Sequence, residues 1–222
     1  MKRLYILCEG QTEGDFVSIV LAPYLHNMGI VSIPIICTTK RTPTKKHKGG
    51  VTNFAKINKE LQRLCSEHPN EMVTTMFDLY AFPYDILGLD NIPSDIYEKV
   101  RYIENAIADN LENRFGNVIF NLVLHEFEGL LFSDVSAFEN IADNKAVAIL
   151  NSVRATVPTP EHINESPETA PSKHIKRAIP DYSKVNDGID IAELIGIDKI
   201  SNECRHFAAW LAKLTTWAKD GT

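Results

Sequence analysis

Four acidic side chains stand where apolar runs stop. Glu9 follows residues 3–8 (RLYILC), Asp78 follows residues 73–77 (VTTMF), and Glu126 and Glu128 follow residues 118–125 (VIFNLVLH). Carboxylates gathered in one place repel each other unless something positive binds them, and a hard divalent cation, Mg2+ or Mn2+, is the simplest partner. Such a cation stabilises charge on phosphoryl oxygens and lowers the pKa of a bound water, so phosphodiester hydrolysis is the chemistry that fits. Asp78 is expected as a metal ligand, with Glu126 or Glu128 as a second, and Glu9 as a ligand or the general base. Glu13, one helical turn beyond Glu9, stands behind them or is merely an acid favoured by a helix N-terminus. His125 adjoins Glu126, but magnesium does not favour imidazole. It supports the ligands from behind or is a packed strand-end histidine. A lone acid at a strand end is most often a solvated loop residue or a cap; agreement among several strand ends favours a site.

Two basic segments could meet a polyanion. Lys40, Arg41, Lys45, Lys46 and Lys48 precede Gly49-Gly50, and glycines allow close approach to a phosphate backbone. Lys173, Lys176 and Arg177 form a second cluster, from which Lys173 or Arg177 could stabilise a charged phosphoryl transition state. The bland reading of both is a solubilising surface. Tyr80, Phe82 and Tyr84 could stack on bases, although loop aromatics more often close a core.

The acids need elements to position them. Residues 3–8, 31–37, 73–77 and 117–124 read as buried strands. Between them the pattern predicts a helix over 13–28, capped by Thr12, interrupted by Pro23 and stopped by Gly29. A second helix is expected over 53–67, and a third begins after a Ser94 cap and reaches about residue 113. This alternation implies an α/β fold, a parallel sheet of about four strands flanked by helices. Carboxylates at adjacent strand ends would then converge at one edge of the sheet, where open α/β sheets place their sites. Beyond residue 126 the pattern changes. A helix begins near 126–132, one or two more cover 135–149, and helices follow at 189–195 and 204–217. Residues 157–180 carry five prolines and read as an irregular loop. The expected division is an α/β domain over 1–133 and a mostly helical extension over 134–222 packed on it.

Composition sets outer limits. The 222 residues, 44% hydrophobic and 23% charged, suit a folded protein with a sizeable core. A net charge of −6 argues against uniform coating of nucleic acid, though not against a local basic patch. Cys8, Cys37, Cys65 and Cys204 are widely spaced, which disfavours a zinc site or a disulfide framework. No apolar stretch approaches the ~18 residues of a membrane span, and a cytoplasmic protein is expected. No Walker A sequence is present, so the chain is not expected to hydrolyse ATP itself.

Glu9-Gly10 after an N-terminal strand, with Asp78 after a third, resembles the Toprim fold of topoisomerases, primases and overcoming-lysogenization-defect nucleases. Glu9-Gly10-Gln11-Thr12-Glu13, Asp78-Leu79-Tyr80, His125-Glu126-Phe127-Glu128 and Ala170-Pro171-Ser172-Lys173 more closely resemble a Toprim-like family of unassigned function, often encoded beside an ABC-type ATPase. That resemblance spans nearly the whole chain. It implies a Toprim-like, Rossmann-like sheet, a glutamate acting in acid–base or metal chemistry, and magnesium bound after the third strand. The chain departs at Asp78-Leu79-Tyr80, where Toprim enzymes carry two aspartates, so one metal, weaker binding or no catalysis could follow. The expected function is a metal-dependent nuclease, acting on DNA more than RNA. It would work with an ATPase partner in defence against phage or plasmids. The alternative is a non-catalytic nucleic-acid or nucleotide sensor that regulates the ATPase. A homodimer through the C-terminal helix would be favoured by an exposed Trp210 or Trp217.

Overall fold

The computed structural model describes residues 1–37, 54–83, 89–163 and 168–219. Alternating apolar residues build strands β1 (Lys2–Cys8), β2 (Ile30–Ile36) and β3 (Met72–Asp78), followed by two short strands, β4 (Val118–Ile119) and β5 (Leu122–Val123). All pairings are parallel. The order is β2-β1-β3-β4, with β5 also on β3. Leu4, Ile6 and Cys8 face one side of the sheet, and Leu7, Val73 and Phe77 face the other, as a period of two requires.

The second face is covered by α3 (Phe54–Glu67) and α4 (Ile96–Phe115), whose Ile57, Leu61, Val100 and Ile103 join its core. The first face is covered by the chain that follows β1 and by the C-terminal half. The former is α1 (Gln11–Phe16), a π-helical turn (Val17–Leu21) and α2 (Ala22–His26). The latter begins with 3-10 segments Phe127–Ser133 and Val135–Asn140, then α5 (Asn144–Arg154) and α6 (Pro171–Ala178). It ends with α7 (Asp187–Ile195), α8 (Ile197–Glu203) and α9 (Arg205–Lys219). One continuous apolar core runs from Leu4 of β1 through Phe127 and Ile189 to Leu214 of α9.

Several expectations change. The helix after β1 starts at Gln11, and Thr12 lies buried inside it, so Gly10 and not Thr12 is the N-cap residue. Pro23 does not break the helix. It sits just after the π-helical turn in a stretch that stays helical on both sides, and that turn is where the irregularity is taken up. Asp95 rather than Ser94 caps α4, its Oδ1 accepting from Tyr97 N and Glu98 N. The single fourth strand is two pieces because threonine hydroxyls replace part of the ladder. Thr74 Oγ1 donates to Ile119 O at 2.6 Å, while Thr75 Oγ1 donates to Asn121 O at 2.6 Å and accepts from Asn121 N at 2.8 Å. The proline-containing stretch 157–180 is not one irregular loop. It holds a 3-10 turn, Pro160–His162, and α6, with Pro at the first turn of each. Segment 126–132 is 3-10 rather than α-helical, and α8 was not anticipated.

Trp210 is buried, its indole donating to Thr74 Oγ1 at 3.0 Å, so α9 is fastened to β3 in the core. Trp217 is partly buried beneath Lys2, whose ammonium donates to its carbonyl at 2.6 Å. All four cysteines are buried and free. Among the described residues no helix is long and apolar enough to cross a membrane.

Candidate functional site

The strand order places β1 and β3 side by side, although α1–α2 leads from β1 to β2 and α4 leads away from β3 on the opposite face. This reversal is the switch point at which a parallel sheet opens a crevice at its C-terminal edge. Glu9 and Asp78 stand on the two sides of it. Glu9 N continues the ladder to Met76 O at 3.0 Å, and Glu9 Oε2 accepts from Asp78 N at 3.0 Å. Asp78 Oδ1 in turn accepts from Phe127 N at 2.9 Å, which holds the start of the 3-10 segment against the end of β3.

The remaining oxygens converge on a residue that the sequence pattern did not single out. Lys184, in the connection between α6 and α7, places Nζ 3.2 Å from Glu13 Oε1, 3.4 Å from Asp78 Oδ2 and 3.2 Å from Glu128 Oε2. The carboxylate side chains are only 5%, 12% and 3% exposed, whereas that of Lys184 is 31% exposed, so the lysine reaches the buried acids from the solvent side. Gly10 permits this closeness, because a Cβ there would stand 3.3 Å from Glu13 Oε2. Glu128 Oε2, although within ion-pair distance, lies off the hydrogen-bonding direction and has no hydrogen-bond partner among the described residues. The Tyr182 hydroxyl is also buried without one. Burial pushes its phenol up, and Glu128 adds to the effect.

Among the described residues the charges do not balance. Burial raises the Asp78 carboxyl well above its ordinary range. Lys184 opposes that shift, but Glu13, Glu9 and Glu128 reinforce it. Glu128 is raised by burial as well. Burial works against the Lys184 ammonium, yet Asp78, Glu128 and Glu13 reverse this and hold it firmly protonated. Among the described residues one ammonium stands among several buried carboxylates, an excess of negative charge that either retains a proton or attracts a further cation.

Glu126 and Glu128 part company. Extended backbone at Glu126 turns its side chain away, and its Oε2 accepts from Ser172 N at 3.1 Å in the first turn of α6. That is a capping contact, favoured by the helix dipole. His125 takes φ +64°, and its carbonyl accepts from Tyr80 N at 3.0 Å. Burial, then His162 and Lys99, lower its imidazole to about 4. Lys173 and Lys176 are exposed on α6, and Arg177 is paired with Glu168 at 3.7 Å. Lys184, not Lys173, is therefore the cation seated among the acids. Tyr80 is exposed, while Phe82 is buried in the second core. Lys40, Arg41, Lys45, Lys46, Lys48 and Tyr84 lie outside the described residues.

The donors fit a hard divalent cation in type, being all oxygen, and in charge, and the buried Glu128 Oε2 facing Lys184 makes no well-directed hydrogen bond among the described residues. Their spacing is looser, for among the described residues no three His, Cys, Asp or Glu stand at metal-ligand distances. No signal in the local sequence announced Lys184. It is 106 residues from Asp78 along the chain and is brought there by the packing of α7.

Searches of curated proteins and of solved structures each returned no match. One family model matches residues 8–215, a span that includes every acid of the cluster and Lys184. The chain belongs to that family, described as a domain of unknown function (DUF4276).

Proposed function

We propose that this protein is a divalent-metal-dependent nuclease of Toprim-like character. It hydrolyses nucleic-acid phosphodiesters, DNA more than RNA, with an ATPase partner in defence against phage or plasmids. The observation that carries this reading is the convergence of buried carboxylates at the β1/β3 switch point, in excess of their counter-charge among the described residues. The ATPase and the defence role rest on family resemblance alone.

Asp78, Glu128 and Glu13 would hold Mg2+ or Mn2+, and Glu126 could join them only by releasing Ser172 N. When bound, the ion supplies charge stabilisation at the phosphoryl oxygens and a more acidic water. Glu9 takes the proton of the attacking water as the oxygen–phosphorus bond forms and the bond to the leaving oxygen breaks. Its contact with Asp78 N fixes its orientation for this. The exposed Lys173 and Lys176 of α6, with the basic residues of 40–48, supply phosphate contacts along the strand.

Cleavage of single- and double-stranded DNA and RNA with Mg2+ or Mn2+ tests the reading, with and without a partner ATPase. Glu9→Gln and Asp78→Asn should each lower the rate at least ~100-fold, in keeping with the loss of a general base or a charge-stabilising group. Full activity in both variants sinks the assignment. A second reading is favoured by the ammonium already seated among the acids: a non-catalytic nucleic-acid or nucleotide sensor. It predicts salt-sensitive binding without turnover in any setting.

A further inference from the structure

The connection that carries Lys184 is firmly built, yet the side chain that matters on it is not. Ser183 N donates to Asp187 Oδ2 at 2.7 Å and Gly188 N to Ser183 O at 3.2 Å, which fix the backbone on both sides of Lys184. The lysine stem is long and unbranched, its head a strongly hydrated point charge with freely rotating donors. Its side chain is the most exposed member of the cluster. A stem of that kind lets the ammonium be repositioned by side-chain rotation. Asp78 is held through Phe127 N, and Glu13 and Glu128 are buried on short helical segments. The Glu128 oxygen 3.2 Å from the ammonium makes no well-directed hydrogen bond among the described residues.

We propose that Lys184 is a built-in cation occupying the divalent ion's seat among Glu13, Asp78 and Glu128, and that it swings out to solvent when the ion enters. This rests on the reading that these carboxylates take a divalent cation. Lys184 is then a gate in the resting protein. It keeps the acids together without metal and sets the divalent-ion concentration at which the site fills.

Mn2+ binding to the full chain, followed by calorimetry, tests this with Lys184→Met beside the wild type. Losing the competing charge should tighten Mn2+ binding on the order of tenfold or more, given the strength of close charge pairs away from bulk water. The metal-free variant should melt below the wild type and recover when Mn2+ is added, because buried carboxylates would otherwise lack a counter-ion. A measurement on the wild type avoids dependence on that variant's folding. Acylation of Lys184 by an amine-reactive reagent, read by mass spectrometry, should rise severalfold with saturating Mn2+, while exposed Lys173 and Lys176 serve as unchanged references. If Mn2+ binds but Lys184 labelling stays flat, or if Lys184→Met binds it no more tightly, the lysine is not a competitor. The metal site then stands and the gate falls. Absence of Mn2+ binding in every folded form removes both.

Discussion

Two groups of buried acids in this molecule are built in opposite ways. One holds Glu104 and Glu161 where α4, β5 and α9 meet. Glu104 Oε1 accepts from Leu122 N at 2.8 Å and pairs with His206 Nε2 at 2.9 Å. Both Glu161 oxygens accept from His206 N, at 3.1 and 3.0 Å, and Oε1 also accepts from Phe207 N at 3.0 Å. Those amides lie in the first turn of α9, where a carboxylate is favoured. Main-chain donors and one imidazole meet the oxygens. The other group, at the switch point, has more charge than partners among the described residues, and the cation there, Lys184, sits on a flexible stem. The first is complete in itself; the second is the one the proposed function assigns to a cation. Burial alone does not separate them. What separates them is whether fixed donors answer the carboxylate oxygens.

The contrast is most sharply broken by truncation. Glu104→Ala should cost ~3 kcal/mol, lowering Tm by about 6–12 °C, since it strands Leu122 N and a buried imidazole. It should leave Mn2+-induced stabilisation unchanged. If calorimetry shows that Glu104→Ala also loses the Mn2+ response, the two groups are not independent.

A smaller effect is expected from acid. His125 is neutral in the fold, its pKa lowered from 6.5 to about 4, so its contribution is complete above pH 6.5 and disappears as the pH falls towards 4. That slope should amount to ~2–3 kcal/mol at most. His125→Asn, which tolerates the positive φ, should flatten it in a Tm–pH series.

Asp78 tilts the profile the other way. Its raised pKa means that the native state binds the extra proton, so stability declines as the pH rises above the ordinary value of 3.8. Asp78→Asn keeps an acceptor for Phe127 N and removes the charge. It should change metal-free stability by no more than ~1 kcal/mol, and upwards at neutral pH, while abolishing the Mn2+ response. A loss as large as that of Glu104→Ala would place Asp78 with the structural acids. The smallest change belongs to Glu126→Gln, which should cost about 0.5 kcal/mol through the first turn of α6. A larger loss of Mn2+ affinity would restore Glu126 as a ligand.

Much of the scaffold was legible from local pattern. Apolar runs of strand length predict β1, β2 and β3, and Glu9 and Asp78 at their ends predict the convergence seen at the sheet edge. Glu126 and Glu128 were less legible, because spacing of two residues says nothing about which turns inward. That depended on Glu126 staying extended and on Phe127 N being fixed to Asp78.

Strand periodicity and strand ends are local properties of the chain, and they sufficed for the parallel α/β architecture and two acids of the switch point. Tertiary structure alone decided that Lys184 would be the cation among them and that Glu128 rather than Glu126 would face it. It also decided that the stretch after residue 157 would close the first core. These depend on contacts between residues far apart in the chain, where the donors and charges that fold onto a carboxylate set its role.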